Sequence, residues 1–321
     1  MNILETVRGR KTIAISGHIG PDGDCVGSCL GMALYLRKNM PEAQVDVYLG
    51  DFSDALRRSI PGTETVIYDY RPRAERYDAF IALDCGRERL GDAQEMFDGA
   101  DLTVNIDHHV SNSGTGMINF VDGNASSACE LAYLAMEPDR LDGSIAQALY
   151  VGMVTDTGVF RYSNTSERTM RIAGSLMTYG FDYPSIVREV FYEKTFIQQK
   201  IMGIALERAR SECGGLIIAS LLDWKTQHSL GAGKKEIDGI SAQLALTEGA
   251  DCAILLYATG TGEWKGSLRS NRYVDVASIC QNFRGGGHVR AAGCTMYGDG
   301  EKALQKLIEA AAVQLRERGL C

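Results

Sequence analysis

The chain has 321 residues, 45% of them hydrophobic and 23% charged, and a formal net charge of −8. That length accommodates two domains of about 100–200 residues, each with its own core, and the composition is that of a folded chain rather than a disordered one. The acidic balance weighs against a coat for long DNA or RNA, whose affinity comes mainly from neutralised phosphates, and no apolar run approaches the about 18 residues of a membrane helix.

The start, Met1–Glu5, lacks the basic-then-apolar order of a signal peptide, so a cytoplasmic location is expected. Runs rich in Val, Ile, Leu and Thr at Thr12–Ser16, Val45–Leu49, Ala79–Leu83 and Leu102–Ile106 predict strands. Between them, Val26–Lys38 carries Val26, Leu30, Ala33 and Leu34 at helical spacing, and Ser144–Val154 carries Ile145, Leu149 and Met153 four apart. Alternation of this kind predicts a doubly wound, mostly parallel sheet. From Ser166 to Glu212 the strand signals stop; Glu167–Tyr179, Tyr183–Glu193 and Phe196–Arg210 predict consecutive helices, punctuated by Gly180 and Pro184. Strands return at Leu216–Leu222, Cys252–Tyr257, Trp264–Arg269 and Gly293–Met296, before a last helix over Glu301–Arg318. The expected architecture is α/β: a first domain over residues 1–190, a helical linker over 191–212 and a smaller α/β domain over 213–321.

The nine cysteines, an odd number, form no C-x-x-C and no zinc-ribbon spacing. In a reducing compartment they read as small buried apolar residues or free thiols.

Chemistry gathers after the early strands. Thr12–Ser16 is followed by His18, Asp22 and Asp24, Ala79–Leu83 by Asp84, and Leu102–Ile106 by Asp107-His108-His109. Asp156 follows the helix that ends near Val154. Any one of these Asp residues has an ordinary reading as a helix cap or an Asx turn. Together they are more telling, because loops at the carboxyl ends of parallel strands converge on one crevice. Carboxylates gathered there repel one another unless cations sit between them. Asp and His without thiolate suit Mn²⁺, Mg²⁺, Fe²⁺ or Co²⁺, and this many donors point to a two-metal site of the kind that clamps both oxygens of a phosphoryl displacement. Of the chain's five histidines, three lie in these clusters; His228 stands outside them.

His18-x3-Asp22-x-Asp24, Asp84, Asp107-His108-His109 and Asp156 resemble, in order and spacing, the four motifs of the DHH phosphoesterase superfamily. Gly285-Gly286-Gly287-His288, with Gly266–Asn271 upstream, resembles the DHH-associated C-terminal domain. Ala125–Leu131 and Phe160–Thr165 resemble the stand-alone nanoRNase/pAp-phosphatase branch. The resemblance implies one divalent ion, Mn²⁺ foremost, on His18, Asp22 and Asp84, and a second on Asp24, Asp84, His108 and Asp156, with Asp84 bridging. It implies a bridging hydroxide as nucleophile, Asp107 fixing the tautomer of a ligand histidine, and His109 facing the scissile phosphate. It also places the active site in an interdomain cleft, with Arg269, Ser270, Gly285, Gly286, Gly287 and His288 holding substrate.

Residues 260–290 carry a local charge of +3, although a charged strand is often only a solvated face. The glycines before His288 suit a loop that cradles an anion. The implied activity is hydrolysis of oligoribonucleotides of about two to five nucleotides to mononucleotides, and of 3′-phosphoadenosine 5′-phosphate (pAp) to AMP. The nearest alternative is a phosphodiesterase of cyclic or linear dinucleotides. A nucleotide-sensing module that has lost its chemistry is disfavoured, because every motif residue is present. The expected partners are short nucleotides, with neither long nucleic acid nor membrane, and a homodimer is compatible with all of this.

Overall fold

Six strands of the first half, β1 (Thr12–Ser16), β2 (Gln44–Tyr48), β3 (Val66–Ile67), β4 (Ala79–Leu83), β5 (Thr103–Asp107) and β6 (Ile118–Val121), pair in the order β3-β2-β1-β4-β5-β6, and every pairing is parallel. This is the doubly wound sheet that the alternating pattern predicts. The computed structural model describes residues 1–321. It divides into two units, Met1–Glu193 and Lys194–Cys321.

β4 is buried at all five positions. Ile81 and Leu83 join the main core, while Phe80 and Ala82 pack into a second cluster on the opposite face with Tyr48, Tyr77 and Phe97. A strand covered on both faces reads as a continuous apolar run, which is why it is visible in the sequence. β6 is not, because it is an edge strand with two exposed and two half-buried residues. The strand order reverses between β1 and β4, the place where open α/β sheets bind ligands beyond the strand ends.

The first long helix, Gly23–Asn39, begins three residues earlier than its apolar spacing predicts, because Asp22 caps it by accepting the N–H groups of Asp24 and Cys25. It packs against the Gly143–Asp156 helix at very short range. A Cβ added to Gly27 would lie 2.6 Å from the Ala148 carbonyl oxygen, and one added to Gly152 would lie 2.2 Å from Cys129 Sγ. Gly23 and Gly31 face Thr155 and Leu149 in the same stripe. The spacing of four residues puts all three glycines on one side of the helix.

The second unit is built on six strands, β7 (Arg210–Glu212), β8 (Ile217–Leu222), β9 (Cys252–Gly260), β10 (Glu263–Ser270), β11 (Gly286–His288) and β12 (Ala291–Tyr297), in the order β11-β12-β10-β9-β8-β7. Only β8 and β9 run parallel. One face is covered by Val276–Gln281 and by Gly300–Arg316. The Phe196–Glu207 helix, read from sequence as part of a connector, buries Ile201 and Ala205 against Ile218 and Leu222 in the core on the other face. Asp251 is buried and accepts the backbone N–H groups of Arg272, Tyr273 and Val274 at 2.7–2.9 Å, fixing the turn after β10.

The cysteines divide differently from expectation. Seven are buried free thiols, but Cys213 and Cys321 form a disulfide across a Cα–Cα distance of 5.2 Å. They are 108 residues apart, and such proximity leaves no trace in local spacing.

Gly27→Ala is expected to lower stability by about 1–3 kcal/mol, because its methyl group meets backbone rather than a movable side chain. Gly174→Ala, in the Glu167–Met177 helix with open space at its Cβ, should be neutral or stabilising by up to about 1 kcal/mol. Urea unfolding of the two variants checks the contrast.

Candidate active site

The loops after β1, β4 and β5 and the end of the Gly143–Asp156 helix bring His18, Asp22, Asp24, Asp84, His108, His109 and Asp156 together. Asp84 is central. Its Oδ2 lies 3.3 Å from His18 Nε2, and its Oδ1 lies 3.4 Å from His108 Nε2 and 3.7 Å from His109 Nδ1. His18 Nε2 is 3.8 Å from Asp22 Oδ1, while His108 Nε2 is 3.7 Å from Asp24 Oδ2 and 3.6 Å from Asp156 Oδ2.

These separations are too long for good hydrogen bonds, yet two donors sharing an ion through bonds of about 2.1 Å stand about 3–3.5 Å apart. Asp84 Oδ1 is buried and has no hydrogen-bond partner. An orphaned carboxylate oxygen between imidazoles that do not reach it is what a cation site leaves when only its protein donors are considered. The donor set therefore fits two divalent cations with Asp84 between them. Cys25 Sγ also falls among the donors around His18. Burial pushes its thiol well up, so it takes the protonated form, a poor ligand.

The backbone is shaped for this. Asp84 has φ +60°, a left-handed conformation that costs a non-glycine residue of order 1–3 kcal/mol, with Asp and Asn among the side chains that tolerate it best. Past Asp156, Gly158, Val159 and Phe160 are left-handed in succession, φ +56° to +60°, and Val, being β-branched, tolerates this poorly.

Each ligand candidate is also held from behind. Asp22 is a helix cap, as one of its readings from sequence has it, and its Oδ1 also faces His18 at 3.8 Å. Asp24 accepts the N–H groups of Ala128 at 2.6 Å and Cys129 at 2.9 Å, the first turn of the Ala128–Leu134 helix. That turn rests on Glu130, a fully buried carboxylate that takes hydrogen bonds from Ser126, Thr169 and Arg168 at 2.6–2.7 Å. Asn164 ties the Ser126 and Asp156 carbonyls together through its amide. His18 Nδ1 sits 3.1 Å from the Ile19 carbonyl, which leaves Nε2 for the site.

Asp107 departs from expectation. The histidine it fixes is His109, not the candidate ligand His108: Asp107 Oδ1 accepts from His109 Nδ1 at 2.7 Å and from its backbone N–H. Asp107 ends β5 and is buried there, with Asn112 bonding its other oxygen at 2.6 Å. Its sequence neighbour His108 turns instead toward Asp24, Asp84 and Asp156. Asn112 and the Ser126–Glu130 support escaped the sequence reading, although Ser127-x-x-Glu130 matches the helix-start pattern in which Ser caps the third following N–H, as it does here at 3.0 Å.

The electrostatics follow from the crowding. Burial alone would lower His18, but Asp22 and Asp84 outweigh it and push it up to about 11. Burial likewise opposes the proton on His108, and Asp84, Asp24 and Asp156 push it up to about 10. Asp156 rises to about 6, through burial and the repulsion of Asp84 and Asp22 against the attraction of His108. Asp24 moves in the same direction, raised by burial, Asp84 and Asp156. His109 is raised chiefly by its bond to Asp107. Protons stand in for missing positive charge.

In the second unit, register puts Arg269 of β10 opposite Ala291 of β12, and Ala291 opposite His288 of β11. Residues paired across strands share a face, so Arg269 and His288 flank a small residue on one side of the sheet. The next row on that face is Ser267, Gly293 and Gly286. Arg269 and His288 thus border a floor of small side chains. Ser270 points the other way, buried, with its Oγ accepting from Arg290 at 3.1 Å. Of the glycine run, expected as a cradling loop, Gly286 and Gly287 lie in the edge strand β11 and Gly285 immediately precedes it. A Cβ on Gly285 would meet the Gly293 carbonyl at 2.1 Å, and one on Gly287 the Ala291 carbonyl at 2.5 Å, while Gly286 has open space. Close strand approach accounts for two of the three.

A cluster of Asp and His side chains at the switch point of a doubly wound sheet, in a chain with a second sheet domain, defines a phosphoester hydrolase. The chain belongs to the DHH phosphoesterases: the DHH family N-terminal domain matches residues 12–153, and the DHHA1 domain matches residues 186–317. The chain is 29% identical over 331 aligned positions to the bifunctional oligoribonuclease and PAP phosphatase NrnA of Thermus thermophilus, covering 99% of this chain and 94% of that protein. It is 27% identical to the Bacillus subtilis protein of the same name, with 92% of each covered. Its fold matches the crystal structure of an exopolyphosphatase-related protein from Bacteroides fragilis with a TM-score of 0.85 at 24% identity, over 97% of this chain and 94% of that one.

Metal binding should release protons. Below about pH 10 the metal-free His18 and His108 are protonated, and a cation must displace those protons, so affinity rises with pH through the neutral range. Calorimetric titration with Mn²⁺ in buffers of different ionisation enthalpy measures the release. Asp84→Asn, which keeps a residue tolerant of positive φ, should cut bound metal and activity by at least about 100-fold with the unfolding transition preserved.

Proposed function

We propose that the chain hydrolyses phosphoester bonds in very short oligoribonucleotides, yielding mononucleotides, and removes the 3′-phosphate of pAp. The observation that carries this reading is the sharing of Asp84 between two groups of donors, with His109 as the more open member beside them, its side chain 38% exposed against 3% for Asp84. Supporting it are relatives named for both activities along nearly the whole length of the chain.

His18, Asp22 and Asp84 are assigned to one cation, and Asp24, Asp84, His108 and Asp156 to the other. Oxygen and nitrogen donors make Mn²⁺ the first choice, with Mg²⁺, Co²⁺ and Fe²⁺ behind it. Two such ions supply Lewis acidity, acidifying water and taking up charge on phosphate oxygens. The rest falls to the protein. Asp107 orients His109 and raises its proton affinity, so that Nε2 can present a proton to the leaving oxygen. The strained turn at Asp84 holds both its oxygens at the site without a search through rotamers. In the second unit, Arg269 and His288 are assigned to an anionic or nucleotide end of the substrate, the guanidinium offering a two-pronged grip. Short substrates, rather than long nucleic acid, fit a chain of net charge −8. No helix is long and apolar enough to cross a membrane, and the cytoplasm is the proposed compartment.

The test is a panel with Mn²⁺: pAp, a 5′-phosphorylated dinucleotide, a long oligonucleotide, cyclic di-AMP and pyrophosphate. The dinucleotide and pAp should be consumed fastest. Cleavage of cyclic di-AMP at a rate matching the linear dinucleotide would replace this reading with that of a cyclic-dinucleotide phosphodiesterase.

A further inference from the structure

The Arg87–Arg89 turn that follows β4 carries two arginines with different fates. Arg87 is committed to Asp98 by a two-pronged ion pair, and its backbone N–H is given to Thr115 Oγ1 at 3.0 Å. Arg89 has no carboxylate partner. Its side-chain contact is with the site itself, Nη1 standing 3.4 Å from His109 Nε2.

Three features fix it there. The Arg89 N–H bonds the Gly86 carbonyl at 3.1 Å, closing the turn. The next residue, Leu90, is completely buried and anchors it. The Arg89 carbonyl accepts the Ile19 N–H at 3.0 Å, so the turn is sewn to the loop that bears His18. The guanidinium nonetheless stays in solvent, with most of its five donors unspent.

From this geometry we infer that Arg89 is a substrate-binding residue that takes a non-bridging oxygen of the phosphate being cleaved, beside His109. The inference rests on the reading of the site as a phosphoester hydrolase. Its logic is charge placement. Asp22, Asp24, Asp84 and Asp156 turn toward His18 and His108, where divalent ions would offset them. His109 has its Nδ1 occupied by Asp107, so its Nε2 points to the open side together with the guanidinium. An imidazole and an unpaired guanidinium at contact distance, with no carboxylate bonded to the guanidinium, form a two-point seat for an anion. An arginine fits this role better than lysine, because its planar fork can present two N–H groups to one phosphate while Nε2 keeps its proton for the leaving oxygen.

Arg89→Ala, Arg89→Lys and Arg87→Ala are compared with the parent protein, all loaded with Mn²⁺, on the 5′-phosphorylated dinucleotide and pAp. For Arg89→Ala, kcat/KM should fall about 100-fold, the scale on which loss of one preorganised donor to a developing oxyanion is felt. Millimolar guanidinium ion should restore part of it, a rescue that a purely structural role would not give. Arg89→Lys should recover less than a tenth of the loss, and Arg87→Ala should stay within about twofold of the parent. A second measurement does not depend on turnover: inorganic phosphate titrated into the Mn²⁺-loaded proteins should bind at least tenfold more weakly to Arg89→Ala than to the parent. If the parent cleaves nothing in the panel yet phosphate binding still depends on Arg89, the functional reading fails and the anion seat stands. If Arg89→Ala matches the parent within twofold in both kcat/KM and phosphate affinity, the assignment of Arg89 is overturned.

Discussion

Everything at the catalytic end of the first unit depends on two helices lying closer together than side chains normally permit. Gly23, Gly27 and Gly31 form one stripe on the Gly23–Asn39 helix, and Gly152 answers from the Gly143–Asp156 helix. The helices run antiparallel, since Gly23 meets Thr155 while Gly31 meets Leu149. The start of one therefore sits beside the end of the other, which is where Asp24 and Asp156 reside. Helix axes normally stand about 8–10 Å apart, a separation set by the side chains at the contact, and replacing those side chains by hydrogen lets the backbones approach. Two carboxylates on different helices then face a single histidine, His108.

That proximity has an electrostatic cost, which the surroundings are arranged to meet. Asp24 receives two backbone N–H groups from the opening turn of a helix, the arrangement in which a buried carboxylate is best satisfied. The turn is in turn held by Glu130, buried but bonded to two hydroxyls and a guanidinium, so its own charge is not left unpartnered in the interior. The raised His18 and His108 carry the remaining compensation. The site is in effect a cluster of carboxylates whose countercharge, in the absence of other cations, is carried by protons on His18 and His108.

The legible part of this in the sequence was the part written locally. A strand covered on both faces spells itself as an apolar run, and the acidic and histidine residues after β1, β4 and β5 stand where parallel strands deliver their loops, so the sheet and the donors are both visible. The illegible part is made by distance. Nothing near Cys213 announces Cys321, and the glycine stripe reads locally as weak helix propensity rather than as a contact surface. Asp107 could brace either of two adjacent histidines, and only the ends of β5 decide in favour of His109. The glycines before His288 illustrate an ambiguity of chemistry: the residue that suits an anion cradle also suits two strands pressed together, and two of these three serve the second purpose.

The reversal of strand order between β1 and β4 has a consequence for how the molecule comes into being. Strands adjacent at the switch point are separated by more than sixty residues of chain, and the donors themselves stretch from His18 to Asp156. No nascent chain that stops short of Asp156 holds a complete set. The pairing that creates the site is thus non-local, as is the contact between the two glycine-lined helices, and such contacts form late because loop closure must precede them. A cation that binds only the full constellation acts as an inspector of the finished sheet: it adds stability to chains that have closed β4 onto β1 and none to those that have not.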